Sequence, residues 1–274
     1  MEIYHKRINF KKKLNIIPLG DIHLGSRACD EKKLDNLISW ILTKEDTYVL
    51  GMGDYVDAIL RTDLKRFSAR CSKKEMMEDL DSVLNEQRDL VIKKFKKLAE
   101  AGKLLGLLRG NHEEKISKYH QYDIMKDLCQ TLNVPNLGYS CYYRLYLTRG
   151  RHGSTQVIDI YAHHGHGSSR RTGGSVNRFD DIMKGYEADI YLMGHDHKKW
   201  GKREIRLYLG RNNEIIHKPV IIGRTGTFLR TSVKGFTTYS EEAQYSPNDL
   251  GVLKITLRFS WVGDRDNLDI HVSE

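Results

Sequence analysis

Five short stretches pair glycine with residues that bind metal ions: GDIH (20–23), GDYVD (53–57), GNHE (110–113), HHGHG (163–167) and GHDH (194–197). They offer carboxylates at Asp21, Asp54 and Asp57 and an amide at Asn111. Their imidazoles are His23, His112, His163, His164, His166, His195 and His197. Imidazole, carboxylate and amide without thiolate suit borderline or hard divalent ions rather than soft ones. One Asp-x-His alone reads as a polar turn. Five such clusters in register need another explanation.

The elements that must position them supply it. Each cluster follows an apolar run that reads as a strand: LNIIPL (14–19), TYVLGM (47–52), LLGLL (104–108), QVIDIYA (156–162) and DIYLM (189–193). In α/β sheets the carboxyl ends of such strands converge on one crevice, where ligands bind. Between the strands lie helical patterns. Asp30 is the expected N-cap of a helix with Leu34, Leu37, Ile38 and Ile41 on one face. A second helix is expected over 72–101, opening with Ser72 and Glu75 at capping-box spacing and closing at Gly102. Its stripe runs through Met76, Leu80, Val83, Leu84, Val91, Phe95 and Leu98. Further helices fit 121–133 and 176–187.

This alternation predicts βαβ units around a largely parallel sheet. Antiparallel additions follow in the last third: a hairpin turning at Arg211–Asn212–Asn213, with PVIIG (219–223) in its second arm, and the strand GVLKITLRF. The N-terminal residues read as a strand, a basic turn and another strand rather than a signal peptide, because no small-residue cleavage site follows.

Composition bounds the partners. Lys and Arg outnumber Asp and Glu by 45 to 36, a formal charge of +9, which favours anionic partners such as nucleic acids or phosphorylated small molecules. No run of apolar residues is long enough to span a membrane. Cys29, Cys71, Cys129 and Cys141 are scattered without a CxxC pair, as expected of reduced thiols in a cytoplasmic protein.

The order GDxH, GDxxD, GNH[ED], a histidine before glycine, then GHxH resembles the calcineurin-like metallophosphoesterases. The motifs run from Asp21 to His197, about two-thirds of the chain. The resemblance implies one metallophosphoesterase domain over residues 1–274. It also implies an α/β fold, an αββα four-layer sandwich of two mixed sheets flanked by helices. It implies two divalent ions about 3.5–4 Å apart, Mn2+ first, with Fe, Co, Ni or Zn as alternatives. Asp21, His23 and His197 would hold the first, Asp54 would bridge, and Asn111, His195 and His164 would complete the second. His163 is the alternative to His164, which is preferred because it directly precedes the glycine. Asp196, between the GHDH histidines, would point away. If only Asp21 and Asp54 are charged, two divalent ions and a bridging hydroxide leave about one positive charge, which suits an entering phosphate.

Within the resemblance His112 is no metal ligand. It would protonate the leaving oxygen or stabilise the phosphate oxygens. Asp57 would be the carboxylate that orients it. GDYVD and LLRGNHE look close to the Ser/Thr protein phosphatases, but Ala58 stands where that branch has arginine, and a GHxH pair belongs to the phosphodiesterases and nucleases. The expected substrate is therefore a nucleotide or nucleic-acid phosphodiester. A protein phosphatase or phosphomonoesterase is the second reading, and a metal-free scaffold the third. His166, Arg170 and Arg171 are the expected substrate contacts, together with Arg178 and the basic run Lys198, Lys199, Lys202 and Arg203. Trp200 and Tyr208 are aromatics that could stack on a base.

Overall fold

In the computed structural model, which describes residues 1–57, 80–120, 122–150, 155–167, 172–262 and 265–274, the expected strands form but are shared between two sheets. The first half contains β1 (Glu2–Phe10), β2 (Lys13–Leu19), α1 (Glu31–Leu42), β3 (Thr47–Gly51), α2 (Leu80–Glu100), β4 (Leu104–Leu107), α3 (Asn111–His120) and α4 (Ile124–Leu132). Then come β5 (Ser140–Arg149), β6 (Thr155–His163), α5 (Thr172–Gly185), β7 (Ile190–Met193), β8 (Lys199–Leu209) and β9 (Ile215–Thr227). The chain closes with α6 (Tyr239–Glu242), β10 (Gly251–Val252), β11 (Lys254–Val262) and β12 (Arg265–Ser273).

One sheet has the order β1-β5-β6-β7-β9-β10 with β8 also on β9; the other has the order β12-β11-β2-β3-β4. Both are mixed. The antiparallel hairpin expected around Arg211–Asn213 is β8–β9, while the expected parallel sheet is broken earlier, where β5 and β6 turn straight back as an antiparallel pair. Parallel pairing survives across helical crossovers in β2–β3–β4 and β6–β7, and across strand β8 in β7–β9.

Strand alternation then builds four layers. Ile16, Leu50 and Leu105 face Leu145, Ile160 and Leu192 between the sheets. Ile17, Val49 and Leu107 point the other way, onto Leu34, Ile38, Phe95 and Leu128 of the helices. Phe179 of α5 covers Tyr161, Tyr191 and Ile222 on the far side. This is the αββα sandwich. Phe95 is fully buried, so Phe95→Ala should cost roughly 3–5 kcal/mol through lost transfer energy and a cavity.

Asp30 caps α1 by accepting from the Lys33 N–H at 3.0 Å, as its spacing predicts. Gly102, at φ +65°, ends the second helix. The start of that helix, residues 72–79 with Ser72, Glu75 and Met76, lies outside the described residues. Four elements were not foreseen: β5, α3, α6 and β12. In β5 the inward period-two set Cys141, Tyr143, Leu145 and Leu147 is interleaved with tyrosine and arginine. Helix α3 begins on Asn111 itself.

Cys29, Cys129 and Cys141 are buried, and Cys71 lies outside the described residues. Among the described residues no helix is long and apolar enough to cross a membrane.

Candidate metal centre and active-site cleft

The ligand-bearing turns leave the carboxyl ends of β2, β3, β4, β6 and β7, and they do so sharply. Of eight non-glycine residues with positive φ among those described, five are Asp21, His23, Asp54, His195 and His197. Left-handed backbone costs a side-chain-bearing residue roughly 1–2 kcal/mol, and such strain collects at functional sites. The turns brace each other: the Asp21 N–H donates to Gly53 O at 2.9 Å, Ile22 N–H to Asp54 O at 2.8 Å and Phe228 N–H to Asp21 O at 3.1 Å.

Two groups of side chains meet there. In the first, His23 Nε2 lies 3.1 Å from His197 Nε2, and His197 Nε2 lies 3.5 Å from Asp21 Oδ1. In the second, Asn111 Oδ1 is 2.7 Å from His195 Nδ1 and 3.1 Å from His164 Nε2, which is itself 3.3 Å from Asp54 Oδ2. Asp54 lies between them. Its carboxylate is within 4.8 Å of ligand atoms on His23 and His112 on one side and on His164 and His195 on the other.

Of the two neighbouring histidines, His164 joins the cluster and His163 does not. His164 Nδ1–H donates to Met52 O at 2.7 Å, which fixes the tautomer and leaves Nε2 for the cluster. His163 Nδ1 accepts from the Gly165 N–H instead. Asp196 turns away as expected: Arg224 Nε lies 3.3 Å from its carboxylate, and the Ser175 hydroxyl and Lys198 N–H donate to it.

The Asp57 assignment needs correcting. Its carboxylate is 3.5 Å from His23 Nδ1, while His112 Nδ1 meets its main-chain carbonyl oxygen. A ring nitrogen against a carbonyl oxygen carries the proton, so His112 is oriented by the backbone of Asp57. The side chain of Asp57 serves His23.

The charges fit a cation site. Burial pushes His164 down, but Asp54 and Asp21 reverse this and hold it up at about 10. Burial likewise lowers His23, yet Asp57, Asp54 and Asp21 leave it raised. Asp54 is pushed up by burial but ends well below the carboxylate range because His164 and His112 stand beside it. Burial raises Asp21 to about 7. By contrast, burial and the neighbouring His164 lower His195 to about 4, and burial with His23 lowers His197 well below its usual range. His195 and His197 are thus in the neutral ligand form, while the raised His164 and His23 show that the buried carboxylates call for positive charge. Oxygen and nitrogen donors only, with opposed His23 and His197 nitrogens, fit borderline divalent ions.

One residue was missed. Glu113, the last of GNHE, is wholly buried and accepts from four backbone N–H groups: Gly110 at 2.9 Å, Asp54 at 3.0 Å, Tyr55 at 2.7 Å and Val56 at 3.2 Å. It clasps the Asp54 turn to the Asn111 turn. A glutamate beside a chemistry-bearing histidine was its only sequence signal. Glycine is required at Gly110 because a β-carbon there would lie 2.1 Å from Asp54 Oδ1.

The cluster floors a cleft of about 280 Å³. His112 lines it, with its backbone N–H donating to Asp54 Oδ1 at 2.9 Å and its ring Nε2 3.9 Å from Asp54 Oδ2. The basic run contributes Lys198 only; Lys199 pairs with Asp249, Lys202 with Glu204 and Arg203 with Asp269. Arg230 joins it, ion-paired to Asp30 at 2.8 Å. His166 is exposed and is not among the described residues lining the cleft, and Arg178 donates to Gly167 O. Arg170 and Arg171 lie outside the described residues, as does Ala58. Trp200 packs on Phe179, and Tyr208 sits in the β8–β9 hairpin under Lys218. Among the described residues, histidines aside, the aromatics lining the cleft are Phe236, Tyr239 and Tyr245.

The chain belongs to the calcineurin-like phosphoesterase family, whose model matches residues 14–199. Among solved structures it is similar to a conserved uncharacterised protein of Streptococcus pneumoniae, described as a predicted phosphoesterase. Identity there is 13%, 94% of this chain and 98% of that chain are covered, and the TM-score is 0.35. It is similar too to vacuolar protein sorting 29 of Cryptosporidium parvum, at 12% identity, coverage of 96% and 99%, and a TM-score of 0.34. A double mutant of Vps29 from Entamoeba histolytica gives 13%, 95% and 100%, and 0.36. No curated protein matches the chain.

Proposed function

We propose that the protein is a binuclear metal-dependent phosphodiesterase acting on nucleotide or nucleic-acid esters. The observation that carries this is the GHDH turn. His197 faces His23 and Asp21, and His195 faces Asn111, so one turn serves both groups of side chains.

Asp21, His23 and His197 would hold one ion and Asn111, His164 and His195 the other, with Asp54 shared. Two divalent ions, Mn2+ foremost, would supply an activated water and charge to neutralise the phosphoryl oxygens. The remaining steps fall to the chain. Glu113 holds the Asp54 and Asn111 turns in register. Asp57 keeps the His23 ring in place. His112, held by its Nδ1–H on the Asp57 carbonyl, would act as the imidazolium, giving its Nε2 proton to the departing oxygen.

The cation supply supports a diester. Among the described residues the side-chain cations lining the cleft, histidines aside, are Lys198 and Arg230, and Arg230 is ion-paired to Asp30. A diester carries one negative charge, whereas a monoester dianion asks for more compensation. With Mn2+ present, bis-p-nitrophenyl phosphate should be hydrolysed with higher kcat/KM than p-nitrophenyl phosphate. The reverse order, with good turnover of phosphopeptides, would make it a protein phosphatase.

A further inference from the structure

The wall facing the metal-ligand cluster comes from residues 229–248, beyond the stretch that matches the family. The geometry points to this segment as the part that selects substrate, by holding an aromatic ring on the ester group that stays with the phosphate. This rests on the phosphodiesterase reading and adds to it the kind of group the enzyme prefers.

Three observations support it. First, Phe236, Tyr239 and Tyr245 all line this wall, within a cleft whose floor is His23, Asp54 and His197. Second, the rings are held in place. The Arg27 guanidinium lies 4.3 Å over Phe236, and Tyr239 meets Tyr245 edge to face at 6.1 Å. A ring already fixed loses little freedom when it stacks on a ligand.

Third, the wall is tied to the turn that carries Asp21 and His23. Thr227 Oγ1–H donates to Asp21 O at 2.8 Å, Asp30 N–H to Phe228 O at 2.8 Å and Arg230 N–H to Ala28 O at 2.9 Å. Within the wall, Thr238 caps α6 and its hydroxyl donates to Thr231 O, while Asn248 N–H donates to Thr231 Oγ1 at 3.1 Å. The aromatic rings therefore stand at a set distance from the cluster.

The size of the cleft narrows the ligand. About 280 Å³ lies just below the usual span of small-molecule sites, roughly 300–1,000 Å³, which suits one flat group beside a phosphate. Gln244 and Asn248 line the same wall and bring amides of the kind that pair with base edges. Stacking of a base on an aromatic side chain is worth roughly 5- to 150-fold in affinity.

The experiment uses the full chain with Mn2+ and three diesters that share p-nitrophenol as leaving group: its thymidine 5′-phosphate, phenyl phosphate and methyl phosphate diesters. The expected result is a kcat/KM at least about tenfold higher for the two esters whose retained group carries a ring than for the one that retains methyl. That ratio should fall about tenfold in Phe236→Ala and Tyr245→Ala, mainly through KM. It should also fall in Phe236→Leu, which keeps apolar bulk without a π face. A thymidine ester favoured over the phenyl ester assigns the ring to a nucleobase, and equal rates assign it to a plain aryl group. A ratio near one in the parent protein, or a ratio unchanged by the substitutions because all three esters suffer equally, overturns the proposal.

Calorimetry separates this from failure of the phosphodiesterase reading. If no diester releases nitrophenol, that reading fails alone. Thymidine 5′-monophosphate binding more tightly than inorganic phosphate, and losing that advantage in Phe236→Leu, still supports the ring-holding wall. Equal binding of the two rejects it.

Discussion

His23 Nε2 and His197 Nε2 point at each other across 3.1 Å, although 174 residues separate them in the chain. Two ring nitrogens at this distance share one proton or one metal ion. Burial and the neighbouring His23 keep His197 neutral, so its lone pair stands ready for a cation. Ions that bind the folded chain and not the unfolded one stabilise it, by about 2.7 kcal/mol at a hundredfold excess over Kd. Thermal unfolding in Mn2+ should therefore occur at higher temperature than in chelator, and His197→Ala should shrink the difference. Identical transitions in both conditions would contradict a metal-holding pair.

His112 should act on the leaving group. Its side chain is outside the proposed ligand set, so His112→Ala should keep the fold and both ions. General-acid help is worth roughly 10²–10⁴-fold. A nitrophenolate departs without a proton and a nucleoside alkoxide does not. The variant should lose far more activity on nucleotide diesters than on nitrophenyl esters. Equal loss on both would favour stabilisation of the phosphoryl oxygens instead, and loss of an ion would make His112 a ligand.

Glu113 carries the register of two ligand turns through its four accepted hydrogen bonds. Glu113→Gln keeps one oxygen and puts an amide donor against backbone donors. The expected loss is about 1–3 kcal/mol for each donor left unsatisfied, read by denaturant unfolding, with weaker metal retention. A change below about 0.5 kcal/mol, the usual span of surface substitutions, would show that the clasp is dispensable.

Asp30 links helix α1 to the cleft wall, capping Lys33 N–H and pairing with Arg230. Burial raises its pKa, but the Lys33 N–H and Arg230 outweigh this and leave it lowered. A lowered carboxylate stabilises the fold above its unfolded value, about 3.9, and this contribution fades as pH falls through the folded value. Asp30→Ala should cost about 1 kcal/mol at neutral pH, with the difference from the parent narrowing below about pH 4. A difference that grows on acidification would contradict this assignment.

Most of the centre was legible in the sequence because its residues sit at fixed offsets from strand ends. GDIH, GDYVD, GNHE and GHDH each follow a continuous apolar run, and the structure brings Asp21, His23, Asp54, Asn111, His195 and His197 together where those runs end. What the spacing could not give was side-chain direction. Asp57 was close enough in sequence to serve either histidine, and only the structure shows its carboxylate at His23 and its carbonyl at His112. Glu113 was hidden because a buried carboxylate satisfied by backbone N–H groups looks, in sequence, like any helix-start glutamate. The two-sheet division was hidden in β5, where exposed arginine and half-buried tyrosines mask an inward set. The aromatic wall escaped because Phe236, Tyr239 and Tyr245 reach the cleft through long-range bonds to the Asp21 turn, not through any local pattern.

The shared role of Asp54 is the centre of the account, and metal counting tests it most directly. Elemental analysis of Mn2+-loaded, desalted protein should find two ions per chain in the parent. Asp54→Ala should fold, as judged by circular dichroism, yet hold fewer ions and lose diester hydrolysis more completely than Asp21→Ala or His197→Ala. Two ions retained in Asp54→Ala, or a metal-stripped parent that keeps full activity, would contradict the binuclear centre.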